Sequence, residues 1–431
     1  MNYLIRKFNS LFFLFITFIF LMAIFWLYQK HPVGNDSTIS EWLINYQGGF
    51  TRRGIIGEIC YQFANFFDLK LRFVIFLFQS FLYLTYLILI YFFIKDVPKN
   101  ILTIIAIFSP IFLLYPIAEI EVLARKEIFL YVGFIIFLHL SSNQYSKNVP
   151  LIYIFFIFPI LCLIWEPFVF FFMFAAFVIL TRNIDESFKK ITLKIFLSFS
   201  SSILILIIIF LNKLTPNEHA IMANSLMENF GEICYMSCSL LGTKTSISAQ
   251  FTPVIQHLSL EVVFRYSIIV LIGFSALFFL IYNTKLNFKA ISFESKLYRW
   301  ISTKNFLLTY SIMLLPSLIL LSIMSDWGRV VNIAYTFSIL TYIYLIKNNL
   351  VTIEKKIIFF DNLYIYKKKV FIILFFIFAF GWNQKTAMTG DVATNSLYKV
   401  VYNTSKKVFG FGGIRIFQDN PIVKFHKKYI E

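Results

Sequence analysis

Charged side chains are scarce in this chain, and the places where they gather are the places where chemistry can happen. The stretch NDSTISEWLINYQGGFTRRGIIGEI, residues 35–59, holds three carboxylates together with Arg52 and Arg53. The two arginines follow Gly48-Gly49 and precede Ile55, Ile59, Phe63 and Phe67, a spacing that predicts one face of a helix. A helix start already favours anions through its free amides and its dipole. Two arginines beside it make an anion site richer than a membrane anchor needs. The plain alternative is that they touch phospholipid headgroups. Upstream, Thr38 to Glu41 fits a capping box, and Ile39, Trp42, Leu43 and Tyr46 then mark a face of a first short helix. Trp42 and Tyr46 suit the headgroup level.

Three further short segments carry charge, two of them of both signs. EIEVLARKE places Glu119 and Glu121 two residues apart, followed by Arg125, Lys126 and Glu127. Two carboxylates so spaced can share a divalent cation such as Mg or Mn, or one can act as a base. Charges this close to a helix end also snorkel to the interface without further role. Trp165-Glu166-Pro167 interrupts two very apolar segments, so Glu166 is either in a tight turn or buried at membrane depth. In SDWGR, Asp326 and Arg329 can pair at i, i+3, or Arg329 can join a phosphate site with Trp327 stacked on a sugar ring.

The elements that must position these clusters follow from composition. Of 431 residues, 59% are hydrophobic and 14% charged, against about 25% charged in a soluble domain. Apolar runs near the ~17–25 residues that cross a bilayer recur along the chain. The expectation is an all-α, polytopic integral membrane protein of roughly eleven helices. The spans fall near 11–29, 73–94, 101–118, 128–140, 151–164, 168–181, 191–212, 266–283, 305–324, 330–346 and 370–382. The first run is too long for a signal-peptide core and lacks a small-residue cleavage site, so it reads as a retained helix. Residues 1–382 form the membrane domain, with outer loops at 30–72 and 213–265, and 383–431 form a basic tail.

With the N-terminus in the cytoplasm, the lysine-rich loops around 95–100, 181–190, 285–305 and 347–369 fall on one side. Every mixed-charge cluster then falls on the other, which is periplasmic in a bacterial inner membrane. The tail would also be periplasmic, an exception to the pattern. The net charge of +17 resides mainly in these short loops and is not a nucleic-acid signal. Cys234 and Cys238 sit close in a polar outer loop and can pair there, while Cys60 and Cys162 read as packing. The histidines lack zinc spacing, and no nucleotide-binding or nucleophile-elbow motif is present.

This layout resembles the GT-C superfamily of polyprenyl-phosphate-dependent glycosyltransferases, in architecture over most of the chain and in short acidic motifs. The resemblance implies that an acidic residue early in the first outer loop, here Asp36 or Glu41, is the catalytic base. It implies that Glu119 and Glu121 help hold a metal or the donor phosphate. The sequence also resembles polysaccharide polymerases of the Wzy and EpsG type, in which outer-face arginines grip an undecaprenyl-diphosphate glycan. Arg52, Arg53, Arg125 and Arg329, with Lys126, suit that role, and the glycan would meet Trp42, Trp165, Glu166, Asp326 and Trp327. The implied partners are a polyprenyl-(di)phosphate-linked donor, a glycan or lipid acceptor and membrane lipids. A lipid-glycan flippase is a further alternative, although charges within the spans are nearly absent. A non-catalytic assembly subunit would not need mixed acid–base clusters at four outer turns.

Overall fold

The computed structural model describes residues 2–34, 37–98, 100–183, 186–242, 247–286, 306–353 and 367–390, with 400, 404–405 and 407–408. Asp36, most of the lysine-rich segments after 286 and 353, and most of the tail lie outside the described residues. The longer helices are α1 (Asn2–Lys30), α2 (Gly54–Phe66), α3 (Leu71–Ile94), α4 (Glu127–Leu140), α5 (Val149–Ile164), α6 (Phe172–Arg182) and α7 (Phe188–Leu211). They continue with α8 (Pro216–Phe230), α9 (Ile247–His257), α10 (Leu260–Tyr282), α11 (Phe306–Ile323), α12 (Trp327–Lys347) and α13 (Lys368–Phe380). Two three-residue strands, Thr284–Leu286 and Val351–Ile353, pair antiparallel with Thr284 opposite Ile353.

Among the described residues, six helices are long and apolar enough to cross a membrane: Lys7–Lys30 of α1, then α3, α7, α10, α11 and α12. The other expected spans are shorter pieces, so helix length does not establish a count of eleven. The expected span 101–118 is broken: a helix over Ile101–Ile107 stops, and a turn over Tyr115–Ala118 follows. Pro110 and Pro116 account for the interruption, since neither can donate to a helix ladder. Irregular backbone at such depth must be satisfied by protein. Asn332 does this, donating to the carbonyls of Ile111 at 2.8 Å and Phe112 at 3.2 Å.

Asn332 belongs to α12, whose side chains are almost all buried, so this helix is the axis of the bundle. That position explains its polar content. Tyr335 donates to the Ala106 carbonyl at 2.6 Å, Tyr344 to Ser141 at 2.9 Å, and Tyr131 to Asn332 at 2.8 Å. Away from water, these bonds are the alternative to orphaned groups, and they tie α12 to its neighbours at each level. The axis begins at Asp326-Trp327-Gly328-Arg329, so its packing fixes where that cluster stands.

The first loop departs from two matched amphipathic helices. Its first part is a single turn, Ser37–Ser40, running into a 3-10 turn at Glu41–Leu43. Thr38 lies inside the turn rather than ahead of it, and Glu41 turns inward to arginines. The second part is α2. Its predicted stripe faces outward, with Ile59, Phe63 and Phe67 exposed, while Ile56, Gly57, Cys60 and Ala64 pack inward. An outward apolar face suits a helix lying along a bilayer surface. Gly57 permits the inner contact: a Cβ there would lie 1.8 Å from the Ile44 carbonyl oxygen. Gly48 acts likewise, since a Cβ would lie 1.9 Å from the Glu218 carbonyl oxygen.

Candidate functional site

The four charged clusters singled out in the sequence meet at one end of the bundle. Arg53 is the joint. It caps α2 in the left-handed region at φ 62°, a conformation that costs a non-glycine residue about 1–2 kcal/mol. Two contacts hold it there. Its carbonyl accepts a bond from the Lys126 ammonium at 2.6 Å. Its guanidinium grips Glu166 with two parallel bonds, Nε to Oε2 at 2.8 Å and Nη2 to Oε1 at 2.9 Å. Arg52 reaches the same carboxylate at 3.4 Å and remains 40% exposed.

Beneath Arg53 lies Glu41, 2% exposed, with its Oε1 shared by three arginines. Arg125 is 3.0 Å away, Arg53 3.6 Å and Arg329 3.7 Å. Arg329 is itself buried and divides its donors. Its Nε bonds Glu127 Oε1 at 2.6 Å, Nη2 bonds the same oxygen, and Nη1 bonds Asp326 Oδ2 at 3.0 Å. Its guanidinium carbon stands 5.8 Å from the centre of the Trp165 ring. The cluster thus sets five cations (Arg52, Arg53, Arg125, Lys126 and Arg329) against four carboxylates (Glu41, Glu127, Glu166 and Asp326). One positive charge is left over, and an anion would balance it.

Burial and charge set the ionisation of these groups. Burial works to raise the Glu41 carboxyl, but Arg125, Arg329 and Arg53 outweigh it and hold it at about 2. Burial likewise opposes the Glu166 carboxylate, and Arg53 and Arg52 again pull it below its usual range. Burial lowers Lys126 to about 8, with Glu41 working in the opposite sense. The sign for Glu41 follows from linkage. A folded pKa below the unfolded one stabilises the fold above the unfolded value, and that stabilisation is lost as pH falls toward the folded value. Melting temperature in detergent is therefore expected to lose the Glu41 contribution progressively between pH 4.5 and about 2, the ordinary and the folded values of this carboxyl. Loss of that contribution already between pH 7 and 5 would contradict the ion cluster.

Supporting residues complete the site. Trp42 is fully buried and donates from Nε1 to the Ala124 carbonyl at 2.7 Å, and Gln79 reaches the same oxygen at 2.9 Å. Together they set the Arg125-Lys126-Glu127 turn. Trp42 is thus neither at the headgroup level nor open to a glycan, and Trp165 is equally enclosed. Both indoles serve the site by packing, which the aromatic spacing alone did not reveal. Trp327 is also buried, against Tyr266. Glu58 has a role that sequence reasoning missed. It accepts from the Tyr46 amide at 2.8 Å and from Gln47 Nε2 at 2.7 Å, which fixes the chain just before the arginines.

Glu119 and Glu121 part company. Glu119 is buried, accepts from Asn383 at 3.0 Å and lies 3.7 Å from the Lys385 ammonium; Glu121 is exposed. The carboxylates of the main cluster each pair with an arginine. A hard divalent cation needs several oxygen ligands in one place, so the described residues do not fit the expected Mg or Mn ion. The segment after α13 has a different task. Gly328 donates its amide to the Thr386 carbonyl at 3.1 Å, Met388 donates to Ser325 at 2.8 Å, and Gln384 Nε2 to Gly328 at 2.7 Å. These bonds brace the turn that carries Asp326 and Arg329.

The cluster opens on a cavity of about 610 Å³, whose lining includes Arg52, Arg53, Glu166, Lys213 and Asp326. Leu240 and Leu241 close one side, next to a disulfide between Cys234 and Cys238. His219 lies near both sulfurs, but the disulfide occupies them as metal ligands. No family model, no curated protein and no solved structure matches this chain.

Proposed function

We propose that this chain is an integral membrane glycosyltransferase that moves a sugar or glycan from a polyprenyl-(di)phosphate-linked donor at the outer face of the membrane. The observation that carries the reading is the surplus of cations over carboxylates at the mouth of a cavity in a helical membrane bundle, where Arg52, Arg53 and Lys213 face Glu166 and Asp326. Phosphate is the leaving group such a site serves best. As the anomeric carbon–oxygen bond breaks, the electron pair stays on the phosphate oxygen. Arg52 faces the cavity and is only weakly held by Glu166, so its planar fork is available for two parallel bonds to that group. The acceptor hydroxyl oxygen forms the new bond to the same carbon and gives its proton to a carboxylate.

Asp326 suits that last step better than Glu41. It lines the cavity and its side chain is 28% exposed, whereas Glu41 is sequestered and too acidic to take a proton. Glu41 then serves as the anion that holds three arginines in place. This distribution of roles favours the polymerase form of the reaction, in which arginines dominate and the transferred unit is a lipid-linked glycan. The outer face is supported by the lysine pattern and by the disulfide, since disulfides persist in oxidising compartments. In cells that build the surface glycan, deletion of this chain should abolish it and accumulate lipid-linked precursor. Unchanged surface glycan would end the reading.

A further inference from the structure

The walls of the cavity change character in register. On α7 and its extension, Leu206, Ile209 and Phe210 are followed by Asn212 and Lys213. At the end of α11, Ile323 and Met324 are followed by Ser325 and Asp326. The turn into α6 runs the other way, with Glu166 at the charged end, then Pro167, Val169 and Phe170. Each wall is therefore polar at the charged end and apolar on the side that continues into the membrane. A soluble sugar or a free anion has no use for the apolar half, and a bare hydrocarbon has none for the polar half.

The charges give the same answer. Arg52, Arg53 and Lys213 line the cavity against Glu166 and Asp326, so one cation is in excess. Arg53 is fully engaged by Glu166, which leaves Arg52, held to that carboxylate at 3.4 Å only, and Lys213 as the cations that can meet a ligand. Lys213 extends over the Phe210 ring at 5.6 Å from its centre, so one residue pair spans the change from charged to apolar. The long apolar flanks of α7 and α11 continue from the cavity, with Ile207 and Ile319 half exposed on them.

We infer that the cavity is a lipid-phosphate site entered sideways from the bilayer between α7 and α11. The phosphate stands between Arg52 and Lys213, and the hydrocarbon arm lies along Leu206, Phe210 and Ile323. This deepens the glycosyltransferase reading and rests on it for the identity of the lipid, a polyprenyl phosphate.

The test uses the full chain in phosphatidylethanolamine–phosphatidylglycerol nanodiscs, with benzoylphenylalanine placed in turn at Leu206, Phe210 and Ile323. Undecaprenyl phosphate is added, the sample is irradiated, and adducts are read by mass spectrometry. Adducts at these three positions should exceed those at the lipid-facing controls Phe81 and Phe92 by about tenfold. They should fall about tenfold in the double variant Arg52→Glu, Lys213→Glu, and inorganic phosphate should not compete. Lys213 is exposed and the Arg52 side chain is 40% exposed, so an unchanged melting temperature will show that the variant is folded. Equal labelling at the controls, unchanged labelling in the double variant, or equal adducts from the phospholipids would overturn the site. Specific adducts without glycan transfer would uphold the site and remove the glycosyltransferase reading. Transfer without these adducts would remove the site alone.

Discussion

Arg53→Lys should leave the protein folded and inserted while slowing glycan transfer by about 10²–10³-fold, the usual cost of losing one preorganised donor at a developing charge. The fold tolerates the change because the contact that pins the backbone is the Arg53 carbonyl, held by Lys126, and every side chain keeps that carbonyl. The left-handed φ of 62° is likewise no worse for lysine than for arginine. What lysine cannot do is bridge. Arg53 binds both oxygens of Glu166 and lies 3.6 Å from Glu41 with a third nitrogen. An ammonium is a point charge and serves one carboxylate well at most. Glu166 would then turn to Arg52 and withdraw it from the phosphate. Arg329→Lys should act alike, because Arg329 meets Glu127, Asp326 and Glu41 at once. Normal turnover in both lysine variants would leave these two arginines with a structural role alone.

Glu41→Gln should have the largest effect on stability. It is nearly isosteric, yet it removes the shared anion of three arginines, one buried and two partly buried. Breaking a buried ion pair by removing one partner costs about 3–5 kcal/mol, because the remaining charge stays desolvated. The expected outcome is low yield and a much reduced melting temperature, with Glu41→Asp in between. A catalytic base predicts the opposite pattern: a well-folded glutamine variant with no activity. A Glu41→Gln protein that melts like the wild type and transfers nothing would restore Glu41 to the reaction.

The location of the site was legible because charge is rare in this chain. In a sequence that is 14% charged, a charged group between apolar runs has few structural uses, and the four such groups converge. The pairing was not legible. Asp326 and Arg329 do pair at i, i+3 as read, but the stronger partner of Arg329 is Glu127, 202 residues away. Glu119 and Glu121 looked like a pair because they are two apart; a kinked turn sends one inward to Asn383 and leaves the other exposed. Trp42 and Tyr46 had interfacial spacing, yet burial depends on what packs over them. Glu58 looked like the polar side of an amphipathic helix, and only tertiary contact with Tyr46 and Gln47 gives it a role. The broken span at 101–118 carried its own warning in Pro110 and Pro116.

The central claim is that this arginine-rich site performs transfer from a lipid-linked donor, with Asp326 as the cavity-facing carboxylate. It is tested most directly by single-turnover transfer with the purified chain in nanodiscs, given the organism's own undecaprenyl-diphosphate glycan. Wild type should release undecaprenyl diphosphate in step with new glycosidic bonds. Asp326→Asn should bind the donor equally well and transfer about 10²–10⁴-fold more slowly, the range for loss of a positioned proton acceptor. Donor bound by the wild type without any bond formation, or an Asp326→Asn variant that transfers at the wild-type rate, would contradict the account.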